Sequence, residues 1–199
     1  MVRRPALEVH LQVPLQRRQV GLPYDHALDM WAIGCTLYEL FTGSIAFPGR
    51  SNNEMLKLMI DMKGGFPKKM TRRGLFADRH FDLTPTGGAG GETKFKLLEK
   101  DPVTGQDACR LVLPRQKRDV AAAINDAQAS GMENFQPVDR QQAIQASNDR
   151  RRAHQLGDLL DKMFVLDPER RITVQQALQH PFFKELPQHA LNRGDRRPA

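Results

Sequence analysis

A long run of apolar side chains between Leu28 and Phe41 is the best-defined pattern in the sequence. The frankly polar residues within this run are Asp29, Thr36 and Glu39. A helix with so few polar positions is apolar almost all round, and such a helix is normally buried inside a larger fold. We expect Asp25 to act as its N-cap and Gly43 to end it as the C′ residue.

The residues that follow predict a second helix over 51–62. It begins with Ser51 and has Glu54 three residues later, which is the capping-box pattern. In that pattern each side chain satisfies a backbone N–H group of the first turn. The body of the helix, from Met55 to Met62, is rich in Met and Leu. We favour packing in a core over a Met-rich docking face, because these side chains readily fill irregular gaps.

Two further helices are predicted towards the C-terminal end. Apolar side chains recur at helical spacing at Leu156, Leu159, Leu160, Met163 and Phe164. This pattern predicts an amphipathic helix that stops before Asp167-Pro168. Thr173 and Gln176 form a second capping-box pattern, which opens a short last helix running to His180-Pro181.

Residues 63–150 show no sustained period, and we expect an irregular insert there. The glycine cluster at 87–91 matches neither Gly-rich phosphate-binding pattern and is interpreted as a flexible linker. Within the insert, residues 120–130 are rich in Ala and predict a helix stopped by Gly131, and residues 138–146 predict another.

Both ends of the chain differ from the middle. From Leu7 to Val13 apolar and polar residues alternate, which is the period of a half-buried strand. Residues 187–199 are basic and poor in apolar side chains, and we expect a disordered tail there.

Composition places the chain among globular proteins. It has 199 residues, of which 40% are hydrophobic and 27% are charged. No apolar stretch approaches the ~18 residues of a membrane span, and the N-terminus lacks the apolar region of a secretory signal. We therefore expect an intracellular protein that does not contact a membrane. Cys35 and Cys109 form neither a metal motif nor a disulfide framework, and we expect both to be reduced and structural.

The net charge of +7 raises the question of nucleic-acid binding. Basic clusters lie at 68–69, 72–73, 115–118 and 150–152. Because no aromatic residues are interleaved with them, they are interpreted as solvated surface, and a basic RNA-binding domain is the weakest of the functions considered. The histidines lack metal-ligand spacing, and there is no GxSxG nucleophile motif, so neither a zinc site nor a serine hydrolase is predicted.

Three segments together resemble the helical C-terminal lobe of eukaryotic serine/threonine protein kinases. They are Asp29-Met30-Trp31-Ala32-Ile33-Gly34, Leu166-Asp167-Pro168-Glu169-Arg170-Arg171 and His180-Pro181-Phe182-Phe183. Phe47-Pro48-Gly49 and the insert resemble the branch that contains cyclin-dependent, MAP and splicing kinases. More narrowly, Gly21-Leu22-Pro23-Tyr24-Asp25, His80-Phe81-Asp82 and Leu156-Gly157-Asp158-Leu159-Leu160-Asp161 resemble Prp-four type pre-mRNA-processing kinases.

The resemblance implies a mainly α fold, a partial protein-kinase-like lobe with helices F, G, H and I and with the N-lobe absent. Residues 1–20 do not match the family. Residues 21–186 correspond to the partial C-lobe, with residues 63–150 as an insert between helices G and H. Residues 187–199 remain a basic tail.

The resemblance also implies roles for four residues. Asp29 matches the helix F aspartate that accepts hydrogen bonds from the backbone of the catalytic loop. Trp31 and Gly34 match packing positions of that helix, with Gly34 allowing close approach of another part of the chain. Arg171 matches the arginine that pairs with the glutamate of an Ala-Pro-Glu motif.

The phosphoryl-transfer residues of a kinase were not found in this sequence. There is no Gly-rich loop, no Asp-Phe-Gly and no catalytic-loop Asp and Asn, and Leu15-Gln16-Arg17 stands where Ala-Pro-Glu is expected. We therefore expect no catalytic, cofactor-binding or metal-binding residues in this chain. Mg-ATP would belong to the complete family enzyme, and the chain alone is predicted to be inactive.

Three functions follow from these observations. The first is a fragment of a serine/threonine kinase that, in complete form, phosphorylates pre-mRNA splicing factors in the nucleus. The second is a non-catalytic kinase-lobe module that binds proteins, including spliceosomal ones, through exposed helices. The third is the basic RNA-binding domain, although direct binding of nucleic acid is not expected.

Overall fold

The computed structural model of the protein describes residues 26–82, 93–100, 104–133 and 135–184. The helices are α1 (Ala27–Thr42), α2 (Asn52–Lys63), α3 (Lys68–Arg73), α4 (Ala77–His80), α5 (Val120–Gly131), α6 (Arg140–Met163), α7 (Val174–Leu178) and α8 (Pro181–Lys184). The strands are β1 (Phe81–Asp82), β2 (Lys94–Lys100) and β3 (Asp107–Val112). The strand predicted over 7–13, the glycine cluster at 87–91 and the tail at 187–199 lie outside the described residues.

Helix α1 ends where the sequence predicts. Gly43 follows it with φ +70°, and its N–H donates to Glu39 O at 2.8 Å, as expected of a C′ glycine. Asp25, the predicted N-cap, lies outside the described residues, and His26, the first described residue before the helix, makes no side-chain capping hydrogen bond. The helix is also less buried than predicted, since Ile33 is 47% exposed and Leu40 is 63% exposed.

Helix α2 is a core helix, as predicted. Leu56, Met59 and Ile60 are at most 1% exposed, so its Met-rich face packs inward. Ser51 Oγ accepts from Glu54 N at 3.1 Å, which is half of the predicted capping box. The other half differs, because Glu54 Oε2 accepts from Arg50 N at 2.7 Å instead of from the N-cap N–H.

A single helix of 24 residues, α6, replaces the two helices predicted at 138–146 and from Leu156 onward. It starts at Asp139, whose side chain accepts from Gln142 N at 2.8 Å. No Pro or Gly interrupts the chain between 147 and 155, so nothing stops the first turns from continuing into the apolar half. The Thr173 capping box of α7 is present as predicted.

The segment predicted as an irregular insert is ordered in its described parts. It contains helices α3, α4 and α5 and a three-stranded antiparallel sheet in the order β1-β2-β3. Phe95 and Leu97 of β2 point inward, and Phe81 of β1 pairs with Phe95. The sheet forms because these alternate apolar side chains bury against α2 and α4, which corrects the expectation of an irregular insert.

Two aromatic clusters lie in the core. In one, the rings of Phe66 and Phe95 each lie 5.6 Å from the ring of Phe81. The other surrounds Trp31 and is described below. No helix within the described ranges combines the length and the apolar character that a membrane crossing requires.

Candidate functional site

Trp31 is the centre of the region that contains the four residues singled out in the sequence. Its side chain is 1% exposed and stacks on Phe47 with ring centroids 5.2 Å apart. Phe164, which follows α6, meets Trp31 edge-on at 5.0 Å and Phe47 at 5.4 Å. Three mutually contacting rings bury a large apolar area in fixed geometry. They therefore fix α1 against the end of α6.

Arg171 covers another part of the indole. Its Cζ lies 5.0 Å from the ring centroid of Trp31, and the residue is 6% exposed. Nε donates to Val165 O at 2.9 Å, and Nη1 donates to Ala27 O at 2.5 Å. One guanidinium thus joins the loop after α6 to the first turn of α1. The glutamate that the kinase resemblance assigns to Arg171 would fall among residues that the structure does not describe.

Gly34 lies where α1 meets the end of α6. A Cβ atom at this position would lie 3.0 Å from Phe164 Cε1 and 3.3 Å from Met163 Cβ. Phe164 is itself fully buried, so its ring has little room to move. The absence of a side chain at Gly34 is therefore what allows this contact.

Asp29 occupies the first turn of α1, on the rim of the cluster. It is exposed, and its N–H donates to His26 O at 3.2 Å. Within the described ranges its carboxylate has no hydrogen-bond partner. A carboxylate in the first turn of a helix is favoured by the helix dipole and remains available to other donors. Trp31, Gly34 and Arg171 thus come together as a packing unit, and Asp29 projects beside it.

Cys35 lies one turn after Trp31 and is half-buried. Burial raises the pKa of its thiol to about 12, an effect that the charge of Arg171 opposes and that of Glu39 reinforces. The thiol is therefore protonated and a weak nucleophile near neutral pH. The other thiol, Cys109, is exposed on β3. Its exposure does not support the expectation that both cysteines have a structural role.

A cavity of about 310 Å³ adjoins the cluster. Trp31, Cys35, Glu39, Phe47 and Arg50 are among its lining residues. Trp31 Nε1 is buried, and no described group accepts its hydrogen. This orphaned donor is the one polar irregularity that we find in the cluster, which otherwise consists of ring contacts and satisfied guanidinium hydrogen bonds.

A charged cluster near the last helix was not singled out in the sequence. His180 is 6% exposed, and its Nε2 lies 2.8 Å from Asp158 Oδ2. Phe182 N donates to His180 Nδ1 at 3.3 Å, so Nε2 is the ring nitrogen that faces Asp158, and Lys162 Nζ lies 3.3 Å from the same nitrogen. Burial tends to raise the pKa of Asp158, but hydrogen bonds from Lys162 and His180 outweigh it and hold that pKa below its ordinary value.

A second polar contact that the sequence did not reveal joins α2 to the sheet. Asn53 is 4% exposed, and its Nδ2 donates to Lys96 O at 2.8 Å and to His80 Nδ1 at 3.2 Å. Its Oδ1 accepts from Leu98 N at 3.0 Å. The side-chain amide thereby pairs with the backbone of β2 as a neighbouring strand would. Both of its N–H groups and one lone pair of Oδ1 take part in hydrogen bonds.

The described side chains around Trp31 do not form a metal-binding or acid–base site. Among the described residues, no set of His, Cys, Asp and Glu side chains is arranged to hold a metal ion. The arrangement around Trp31 can position a helix and present Asp29. Among the described residues it has no nucleophile with an adjacent base, since the half-buried Cys35 thiol is protonated.

Comparison with known proteins identifies a family and several similar proteins. The family model described as "Protein kinase domain" matches residues 20–183. The serine/threonine-protein kinase prp4 of Schizosaccharomyces pombe is 36% identical over 165 residues, covering 82% of this chain and 30% of that protein. The serine/threonine-protein kinase prpf4B of Dictyostelium discoideum is 31% identical over 165 residues, covering 83% of this chain and 18% of that protein. The chain thus spans less than a third of the length of these curated relatives.

Proposed function

Because the chain belongs to the protein kinase family, we propose that it forms the helical C-terminal lobe of a serine/threonine kinase acting on pre-mRNA splicing factors. The family match over residues 20–183 supports the kinase part of this proposal. The splicing substrates and a nuclear location are suggested by the similarity to prp4 and prpf4B. Spliceosomal proteins would be the partners, with no membrane and no direct nucleic-acid contact.

The observation that carries the proposal is the position of Asp29. The Trp31 cluster and the guanidinium of Arg171 fix the first turn of α1, and Asp29 projects from that turn with its carboxylate exposed. In a complete kinase domain we propose that this carboxylate accepts hydrogen bonds from the backbone of the catalytic loop. Catalysis of phosphoryl transfer is chiefly a matter of positioning and charge, so a fixed anchor of this kind has a direct role.

We further propose that the chain by itself does not transfer phosphate. The sequence contains no Gly-rich loop, no Asp-Phe-Gly and no catalytic-loop His-Arg-Asp. Mg-ATP would be bound by those segments of a complete enzyme, whose metal and phosphate contacts supply the electrostatic stabilisation. The role left for this chain is to support and orient them.

Two measurements on the purified chain test the absence of catalysis. Thermal unfolding is followed with and without Mg-ATP, and phosphate transfer to an Arg/Ser-rich peptide is followed with radiolabelled ATP. We expect no ATP-dependent shift and no labelled peptide, with a complete splicing kinase as the positive control. A shift or labelling abolished by chelating the magnesium would overturn this part of the proposal.

The transcript upstream of the codon for Gly21 tests the relation to a complete kinase. We expect a continuous reading frame that encodes His-Arg-Asp, Asp-Phe-Gly and Ala-Pro-Glu before this point. A stop codon in that frame, confirmed in complementary DNA, would contradict the proposal and favour a separate product.

A non-catalytic interaction module is the second candidate, and one face of α1 favours it. Ile33, Leu40 and Phe41 are spaced along one side of the helix and are 47%, 63% and 37% exposed. An apolar stripe of this kind is normally covered in the functional state. A monomeric chain that melts cooperatively and binds a purified splicing protein would support this candidate.

A further inference from the structure

A short loop between α3 and α4 holds two hydrophobic side chains out in solvent. Leu75 is 77% exposed and Phe76 is 39% exposed. The loop itself is anchored on both sides, because Met70 and Thr71 before it and Ala77 after it are at most 3% exposed. Backbone hydrogen bonds from Gly74 N to Met70 O and from Ala77 N to Gly74 O close the turn. The apolar side chains are therefore presented by a fixed backbone.

Three arginines surround this apolar pair. Arg72 and Arg73 end α3, and Arg79 lies in α4 with its Cζ 4.9 Å from the ring centroid of Phe76. All of them are exposed, and no carboxylate of the described residues lies within ion-pair distance of their guanidinium groups. Lys69 differs, because it pairs with Glu169 at 2.6 Å and with Asp167 at 3.3 Å. The positive charge of the arginines is thus left for an external partner.

Other charges close to the loop do not cancel this excess. Asp78 is the one acidic side chain between 68 and 80, and it is exposed. Its backbone carbonyl accepts from Lys96 Nζ at 2.7 Å, which brings a further cation to the same surface. The basic tip, defined as Arg72, Arg73, Leu75, Phe76 and Arg79, therefore combines net positive charge with exposed apolar area.

We propose that the basic tip is a docking site for an acidic protein segment that also carries an aliphatic or aromatic side chain. Carboxylates match the planar donor fork of arginine and can bind it bidentately. An apolar side chain of the partner would cover Leu75, and such cover is favourable in proportion to the area removed from water. Arginine and aromatic side chains are also enriched in protein interfaces.

Leu75 is what favours a protein partner over a nucleic acid. Base stacking needs the faces of aromatic rings or guanidinium planes, and here one face of Phe76 is already occupied by Arg79. Leu75 has no π-face, and a phosphate backbone would leave this largely exposed apolar side chain in water. An acidic peptide with a hydrophobic residue satisfies both parts of the surface.

Fluorescence anisotropy on the full chain tests the proposal. The probe is a labelled peptide of alternating Glu and Leu residues, compared with the same peptide bearing Gln in place of Glu. We expect saturable binding of the Glu peptide, and about tenfold weaker binding of the Gln peptide because the charge attraction is lost. The variant Arg72→Glu/Arg73→Glu should weaken binding of the Glu peptide by at least about tenfold, and Leu75→Ser by several-fold.

The matched control is Arg115→Glu/Arg118→Glu, which reverses the same number of exposed charges at residues that are not part of the tip. It should leave binding of the Glu peptide within about twofold of the unchanged chain, since exposed charges that do not contact the peptide contribute only a salt-screened attraction. Equal losses in both double variants would show attraction by net charge alone and overturn the proposal. Failure of the Glu peptide to bind, or tighter tip-dependent binding of poly-uridylate RNA or of anionic phosphatidylserine vesicles, would overturn it as well. Circular dichroism of each variant confirms that the fold is retained.

Discussion

Arg171 lies over the indole of Trp31, with its Cζ 5.0 Å from the ring centroid. The two residues are 140 positions apart in the sequence, and each is nearly inaccessible to solvent. The same guanidinium donates to the carbonyl oxygens of Ala27 and Val165. The contact therefore joins the beginning of α1 to the segment that leads into α7, and much of the site's rigidity depends on it.

Replacing Arg171 should destabilise the protein strongly. Arg171→Ala removes the charge-assisted hydrogen bonds to Val165 O and Ala27 O and the cation–π contact with Trp31. We expect a loss of about 2–4 kcal/mol in the free energy of unfolding. Arg171→Lys should recover only part of this loss, because an ammonium group lacks the planar fork. Urea unfolding monitored by Trp31 fluorescence measures both.

Arg170→Ala is the control for this pair of variants. Arg170 is adjacent in sequence but exposed, so its removal should change the free energy of unfolding by less than about 0.5 kcal/mol. If Arg171→Ala unfolded at the same urea concentration as Arg170→Ala, the guanidinium would have no structural role.

A side chain at Gly34 should also be destabilising, although alanine is the better helix former. The added Cβ would lie 3.0 Å from Phe164, whose ring is held by Trp31 and Phe47 and cannot easily withdraw. Overpacking of about 1–3 kcal/mol should outweigh the gain in helix propensity of about 1 kcal/mol. Thermal unfolding of Gly34→Ala should therefore show a lower Tm.

Gly131→Ala provides a matched comparison within α5. A Cβ at Gly131 would meet nothing within 4 Å, so only the propensity gain remains. We expect a small increase in Tm for this variant. A higher Tm for Gly34→Ala as well would mean that the contact between α1 and the end of α6 is looser than the structure indicates.

The parts of the fold with strong local patterns were predictable from sequence. Helix α1 and the capping box of α7 depend on residues that are close together in the sequence. The structure contains both the helix and the capping box. The sheet was missed, although alternation around Phe95 and Leu97 was a usable signal. The length of α6 was missed because residues 147–155, which join the two predicted helices, are mostly polar and have no core period of their own.

The polar contacts of the site could not be predicted in the same way. Asn53 lies in a helix rich in Met and Leu, and its partners His80, Lys96 and Leu98 follow 27 to 45 positions later. His180 and Asp158 are likewise 22 positions apart. Such pairs form only once the chain has folded, so no local period marks them. The residues given by family resemblance were chosen by matching family positions, and the structure brings Trp31, Gly34 and Arg171 together although Arg171 is far from the other two in the sequence. Their roles in a kinase remain a prediction.

Stability should fall in mildly acidic solution because of His80. Burial lowers the pKa of His80, the charge of Arg79 lowers it further, and Asp78 opposes them. The unfolded chain, with an ordinary histidine pKa of about 6.5, then binds a proton more readily than the folded one. This contribution to stability is present above that pKa and is lost as the pH falls from it towards the lower pKa of the folded state.

Unfolding by urea at pH 7 and at pH 5 measures this effect. We expect the free energy of unfolding to be lower at pH 5, and the difference to shrink in His80→Asn. His154→Asn, at an exposed position, is the control for replacing a histidine with asparagine. An unchanged pH dependence in His80→Asn would contradict the assignment.

Asn53 should matter more for stability than its polar character suggests. Asn53→Ala would leave the carbonyl of Lys96 without its amide donor and the N–H of Leu98 without its acceptor, both at the edge of β2. Because unsatisfied part-buried groups destabilise the folded state, we expect a loss of about 1–3 kcal/mol and a matching loss of hydrogen-exchange protection at the Leu98 amide. Asn52→Ala, at the neighbouring exposed position, should leave that amide protected. Equal protection of Leu98 in the two variants would show that β2 does not depend on the Asn53 side chain for its edge pairing, and that the burial of Phe95 and Leu97 alone holds the strand against α2.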